Sequence, residues 1–322
     1  DLVALYGPDI IHKAIENHVN FSCEASVGGG IPILMPLHQS LAANQIESIV
    51  GILNGTPNYI LSQMTETGVN YANALADAQK QGFAEADPTN DVCGFDAARK
   101  LAILSSIGFR ANVTFDDVLV EGIEKIDKSD IQYAKDMGYT IKLLTVALRQ
   151  ENGIALNVYP AFLPDNHPLS SVKGAYNAIY VTGNIVDDVM FYGRGAGALP
   201  TASAVMGDVI STAQHILNGS TGTGMIMTDT KRIPFYSSLK LQNSYYFRLD
   251  VDDVTGVLSQ IAAAFAENDI SICEVVQKRK TKGLAELVLI TELASRESIL
   301  QVEKALQVLP CMRKVANVIR VM

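Results

Sequence analysis

The densest set of reactive side chains is the run Gly82-Phe83-Ala84-Glu85-Ala86-Asp87-Pro88-Thr89-Asn90-Asp91, followed by Asp96 and Lys100. Four carboxylates and one lysine fall within sixteen positions. Asp96 and Lys100 are four apart, so a helix places them on one face with the acid on the N-terminal side, the better order for an ion pair. As a solvated pair they contribute only about 0.3–0.5 kcal/mol, and the preceding loop is then a run of turn formers. In a desolvated cleft the same residues have a chemistry: the lysine passes a proton, and the carboxylates grip an ammonium group. Lys100 lies beside Leu101 and Leu104 on an otherwise apolar stripe, which points to partial burial. Composition leaves both readings open.

Two glycine runs form a second kind of candidate. Glu24-Ala25-Ser26-Val27-Gly28-Gly29-Gly30 is either a tight strand-to-helix turn or a backbone-lined site for a cofactor or small cation. Gly193-Arg194-Gly195-Ala196-Gly197 follows a strand pattern and precedes a helix, an arrangement able to cradle phosphate on the helix N-terminus. It lacks the third glycine and the downstream acid of a dinucleotide fingerprint. A third candidate lies near the C-terminus, where Gly256 marks a strand-to-helix junction and Asn268 opens the following strand. Backbone groups at such junctions hold small ligands, and Thr255 as an N-cap with Asn268 as a helix end is an equally natural reading. His12, His18, His38, His167 and His215 show no metal-ligand spacing, and no GxSxG elbow is present.

The elements that must position these groups follow from periodicity. Apolar spacing predicts a helix over Tyr6–Asn17, a strand over Val19–Cys23, and a helical segment from the first glycine run to about Ala43. A strand over Ile46–Leu53 ends at Asn54-Gly55, after which Thr56 and Pro57 read as N-cap and first helical residue. Helices follow over Asn70–Gln81, stopped by Gly82, and over Asp96–Ile107. The stretch Gly122–Tyr192 reads as mainly strands, at Ile141–Leu148, Ile154–Tyr159, Ala178–Val181 and Val189–Tyr192. A helix over Thr201–Leu217 precedes a Gly/Ser/Thr-rich linker. The last eighty residues read strand–helix–strand–strand–helix–strand, with a hairpin at Lys282-Gly283, as a separate module with both helices on one face of four antiparallel strands. The fold class is α+β.

The 322 residues predict about two domains with ample core. Lys+Arg 25 against Asp+Glu 34, with no basic run, argues against a nucleic-acid partner. No apolar run approaches the ~18 residues of a membrane span. Cys23, Cys93, Cys273 and Cys311 are scattered without a CxxC pair, which predicts a reducing, cytoplasmic setting. The chain begins at Asp1 without a methionine, as if cut from something longer.

Taken in order, EASVGGGIPIL, GILNGTPNYIL, GFAEADPTNDVCGFDAARKLAIL and GRGAGALPTASAVMGDVI resemble homoserine dehydrogenase over residues 1–217. The terminal module resembles an ACT domain, a ferredoxin-like amino-acid sensor. The resemblance implies NAD(P)H-dependent interconversion of aspartate 4-semialdehyde and L-homoserine, on the route to threonine, isoleucine and methionine. By motif it assigns the proton relay to Lys100, held by Asp91, and substrate contacts to Glu85 (on the ammonium) and Asp96. Gly82 and Gly197 line the NADP or NAD side, and Glu24, Val27, Gly29 and Ile31 form a monovalent-cation site, usually sodium, built largely of carbonyl oxygens. Gly256 and Asn268 would bind an amino-acid effector, threonine by resemblance. The implied domains are a remnant of a Rossmann-type nucleotide-binding domain at 1–30, a substrate and dimerisation domain at 31–193, the returning helix of the first domain at 194–217, a linker at 218–242 and the ACT domain at 243–322. A homo-oligomer is expected from open sheet edges. The GxGxxG half of the family pattern is absent from this sequence, so these residues are expected to be inactive by themselves. Two rivals remain: a non-catalytic amino-acid-sensing and oligomerisation module, and a metal-dependent hydrolase using Glu85, Asp91 and Asp96.

Overall fold

The computed structural model describes residues 2–221, 233–281 and 283–322. Helix α1 (Leu2–Glu16) begins one turn earlier than its apolar spacing predicts, and two residues past its end His18, with φ 52°, turns the chain. The predicted strand over Val19–Cys23 is irregular, and a 3-10 turn follows at Glu24–Ser26. A strand needs a ladder partner, and among the described residues none pairs with this segment. The predicted helix beyond the first glycine run is one π-helical turn, Pro36–Ser40.

Strand β1 (Ile46–Ile52) leads into helix α2 (Gly55–Thr67), whose N-cap is Asn54 and not Thr56. The Asn54 Oδ1 accepts the Thr56 N–H at 2.9 Å. Helices α3 (Tyr71–Lys80), α4 (Thr89–Val92) and α5 (Phe95–Gly108) follow; four-residue α4 is too short to show a period. After the short strand β2 (Leu119–Val120) comes helix α6 (Lys128–Asp136), which sequence reading assigned to the strand region. Its reciprocal Asp127–Asp130 capping box was the available signal.

Strands β3 (Tyr139–Gln150) and β4 (Gly153–Pro164) pair antiparallel along their whole length and outrun the predicted spans. All but the last residue of β4 are buried, as expected of a strand covered on both faces. Strands β5 (Tyr176–Gly183) and β6 (Asp187–Arg194) complete this part, and helix α7 (Ala198–Leu217) follows. The linker assigned to 218–242 lies partly outside the described residues. Its described end is packed, with Ile154 donating to the Pro234 carbonyl and Tyr236 to that of Ile154.

The C-terminal elements are β7 (Gln242–Asp252), α8 (Val257–Ala266), β8 (Ile272–Thr281), β9 (Leu284–Thr291), β10 (Ala294–Ser295), α9 (Arg296–Gln307) and β11 (Met312–Val321). Lys282 of the expected hairpin turn lies outside the described residues. Helix α8 is capped by Gly256, with φ 89°, in place of the expected Thr255. The module keeps its own core, where Tyr245, Phe247, Leu249 and Val251 meet Ile261, Phe265, Ile299, Val302 and Leu306.

It is not separate, however. Strand β11 pairs parallel with β4 at Arg320↔Ala161 and Val321↔Phe162, giving one sheet in the order β6-β5-β1-β3-β4-β11-β7-β9-β8. The alternate residues of β7 turn toward the first domain. Tyr246 stacks on Phe162 at 4.5 Å, and Arg248 donates to Asp130 at 2.7 Å and Asp127 at 2.6 Å. Asp130 is fully buried and also accepts from Tyr246 and Asn317. Arg248→Ala strands that charge and is expected to cost about 3–5 kcal/mol. Urea unfolding of the wild type and variant measures it, and a loss below about 1 kcal/mol would mean that the charge is solvated.

Candidate functional site

The predicted acid–lysine cluster assembles where the C-terminal end of β1 meets the N-termini of α2 and α5. Helix α5 forms because Ala97, Leu101, Leu104 and Ile107 make a buried stripe. That stripe leaves Asp96 and Lys100 on the adjoining face, each about a quarter to a third exposed. Lys100 Nζ donates to Asp96 Oδ2 at 2.7 Å and to the Leu53 carbonyl at 3.1 Å. An ammonium carries three N–H groups, so one remains for a ligand.

Asn54 is the residue that sequence reading missed. Its Nδ2 donates to Asp91 Oδ1 at 2.7 Å and to Asp96 Oδ2 at 2.8 Å. With its Oδ1 on Thr56, the buried amide is fully engaged and holds the two carboxylates at a fixed spacing. Asn54-Gly55 reads as a turn dipeptide, which hid this role; an asparagine three residues before Pro57 at the helix start was the available cap signal. Burial raises the Asp91 pKa above the ordinary aspartate value. The negative charges of Asp96 and Glu85 add to that rise, while the Asn54 amide and Lys100 oppose it.

Glu85 is exposed on the loop before α4, outside this hydrogen-bond network, with its charge felt at Asp91. Asp87 has a structural duty, accepting from the Thr89 N–H and hydroxyl. Gly82, with φ 77°, would place a Cβ in open space. Gly197, with φ 121°, caps the twenty-residue α7.

The two glycine runs, more than 160 positions apart, lie against each other. Gly30 donates to the Arg194 carbonyl at 3.1 Å, and a Cβ on Gly29 would sit 2.4 Å from the Gly195 oxygen. Glycine is therefore needed here for backbone contact. Glu24 is buried, and its carboxylate accepts the N–H groups of Ile33, Leu34 and Met35 at 2.6, 2.8 and 2.8 Å. It caps the helical turn, and its own N–H is held by Asp208 of α7 at 3.0 Å. Val27 and Ile31 are buried beside it.

Far from the cluster, Asn268 Nδ2 returns to the Ala264 carbonyl at 2.8 Å and finishes α8. Gly256, at the other end of that helix, faces open space. Among the described residues, no group of three or more His, Cys, Asp or Glu is placed to hold a metal ion, and no helix is long and apolar enough to cross a membrane.

Comparison with known proteins extends the reading. The family model described as Homoserine dehydrogenase matches residues 32–210, and that of the ACT domain matches 245–311. The homoserine dehydrogenase of Bacillus subtilis is 40% identical over 324 residues, covering 100% of this chain and 74% of the relative. That of Synechocystis is 41% identical, with 100% and 76% covered. The chain thus spans about three quarters of the length of these relatives. Among solved structures, a homoserine dehydrogenase from Thiobacillus denitrificans superposes with TM-score 0.94 at 36% identity, over 100% of this chain and 74% of that one. A hyperthermophilic archaeal homoserine dehydrogenase mutant in complex with NADPH gives TM-score 0.57 at 27% identity, over 66% and 61%.

Proposed function

The chain belongs to the homoserine dehydrogenase family, and from that premise we propose how its residues interconvert aspartate 4-semialdehyde and L-homoserine. The observation that carries the reading is the Lys100 ammonium, two of whose donors are fixed by Asp96 and Leu53 while the third is left for substrate. NADPH or NADH, when bound, would supply the hydride that reduces the aldehyde carbon and leaves negative charge on its oxygen. Lys100 stabilises that charge and delivers its proton to the oxygen, giving the alcohol; in reverse it takes the hydroxyl proton. Asp96 and Asn54 hold Lys100 in line, and Asp91 anchors Asn54. Asp96 Oδ2 carries both of these bonds, leaving Oδ1 for the substrate. The exposed Glu85 carboxylate pairs with the substrate ammonium.

Gly82 and Gly197 fit the near side of a dinucleotide: the first faces open space, and the second begins a long helix whose N-terminus favours phosphate. The sequence holds no GxGxxG, and α7 leaves Val205, Met206, Val209, Ile210 and Ile216 exposed. We therefore assign α7 and the 1–30 segment to a nucleotide-binding domain, and expect these 322 residues by themselves not to oxidise NADPH. Aspartate 4-semialdehyde-dependent NADPH oxidation by the full-length protein tests the function, and its absence overturns it.

The Glu24 carboxylate is already engaged, so a cation at Glu24, Val27, Gly29 and Ile31 would be held by backbone carbonyls, neutral hard donors that suit sodium. Substituting choline for sodium at constant ionic strength should then lower the unfolding midpoint. A threonine-sized amino acid is assigned to the ACT domain at Gly256, with Asn268 at the opposite end of α8, and calorimetric binding should vanish in Gly256→Val. The exposed edges β6 and β8 support a homo-oligomer, and the free thiols of all four cysteines support a cytoplasmic setting.

Asn54→Ala gives a prediction with a definite sign. The Asn54 donor favours ionised Asp91, so its removal lifts a pKa that burial has already raised. Asp91 then protonates earlier as pH falls, and the acid limb of the kcat profile moves to higher pH. A limb at the wild-type position would detach Asn54 from the ionisation of Asp91.

A further inference from the structure

The C-terminal module grips the segment beside the candidate site chiefly through Arg320. Arg320 of β11 grips Glu121 with both terminal nitrogens, Nη1 to Oε2 at 2.9 Å and Nη2 to Oε1 at 3.1 Å. The guanidinium is buried and lies 4.1 Å from the Tyr159 ring centre. Arg296, the first residue of α9, approaches the same carboxylate at 3.9 Å while bonded to Glu303 at 2.7 Å. A bidentate arginine–carboxylate pair fixes orientation as well as distance.

Glu121 begins a segment locked onto the end of α4. Its N–H donates to the Val158 carbonyl at 2.7 Å, and two residues later the Ile123 N–H donates to the Val92 carbonyl at 2.9 Å. Between them, a Cβ on Gly122 would lie 2.5 Å from the Val92 oxygen and 2.6 Å from Cys93 Cα, so this backbone seats directly on α4. Glu124 accepts from the Cys93 thiol at 3.1 Å. Val92 follows Asp91, and Gly94, with φ 84°, begins α5, which carries Asp96 and Lys100. The segment therefore sets the angle between the helix bearing Asp91 and the helix bearing its partners.

We infer that Glu121 is a positioning residue for the dehydrogenase reaction: clamped by Arg320 of the ACT domain, it fixes the 121–124 backbone that sets Asp91 against Asp96 and Lys100. The inference rests on the proposed function above. Release of the clamp leaves every reacting group present but allows α4 to shift relative to α5, and a misplacement of about 1 Å can cost about 10²-fold in turnover.

The test is Glu121→Gln in the full-length protein, which keeps the shape of the side chain and removes its charge. The expected result is a fall in kcat of about tenfold, with KM for the semialdehyde within about twofold of wild type. The acid limb set by Asp91, which also faces Glu85, Asp96, Lys100 and the Asn54 amide, should move in parallel. Arg320→Lys keeps the charge and loses the fork, so it should give a smaller fall of the same kind; it supplies the readout if Glu121→Gln does not fold. A double Glu121→Gln, Arg320→Gln variant no slower than Glu121→Gln supports a single clamp. Unchanged kcat and acid limb in Glu121→Gln, beside collapsed turnover in Lys100→Ala, overturn the inference and leave the proposed function standing. Wild-type turnover in Lys100→Ala overturns both.

Discussion

Lys100→Ala is expected to lower kcat by about 10²–10⁴-fold, the range over which a positioned proton donor accelerates its step. The effect falls on kcat because the interaction grows as the reaction proceeds. A neutral aldehyde oxygen accepts only a modest hydrogen bond from an ammonium, whereas the oxygen that has received hydride bears charge and must be protonated. KM for NADPH is expected to stay within about twofold, since Lys100, tied to Asp96 and Leu53, is proposed to act on the substrate oxygen and not on the dinucleotide. Lys100→Arg should not restore the rate. A guanidinium keeps its proton, and its planar fork cannot copy an Nζ that meets Asp96 Oδ2 and the Leu53 carbonyl together. Steady-state kinetics of the full-length protein decide the matter, and a variant with wild-type kcat would remove Lys100 from the chemistry.

The legible part of this site was the part written locally. Asp96 and Lys100 lie one turn apart on a helix whose apolar stripe is visible in sequence, so their pairing needed no tertiary information. Asn54 was illegible because its partners lie 37 and 42 positions away, and nothing in Asn54-Gly55 separates a turn from a helix cap that braces two acids. The C-terminal module shows the same division. Its core face was legible because Tyr245, Phe247, Leu249 and Val251 alternate. The opposite face was not, since Arg248 finds Asp130 across 118 positions, and nothing in β11 announces that β4 will pair beside it. The helical segment after the first glycine run failed for a third reason. Its apolar residues are buried because the Glu24 carboxylate gathers three backbone donors there, and only one helical turn extends beyond them.

Gly29→Ala is expected to be strongly destabilising for the addition of one carbon. With φ 54°, Gly29 occupies the left-handed region, which costs a side-chain-bearing residue about 1–2 kcal/mol. The added Cβ would also meet the Gly195 oxygen at 2.4 Å and its carbonyl carbon at 2.6 Å. Both are backbone atoms, so no rotamer change relieves them. Gly195 itself has no room to retreat, because a Cβ built on it would lie 2.2 Å from the Asn177 side chain. Gly30 stands 2.7 Å from the Pro200 Cβ by the same measure. Overpacking adds about 1–3 kcal/mol, for a total of about 2–5 kcal/mol. Gly82→Ala is the matched comparison: its φ of 77° carries similar backbone strain, but its Cβ meets nothing within 4 Å. Chemical denaturation of the two variants isolates the overlap, with Gly29→Ala losing more by at least about 1 kcal/mol. Equal losses would mean that the joint between the runs gives way freely. A stiff joint, by contrast, sets where α7 begins, and so fixes the position of Gly197 at its N-terminus.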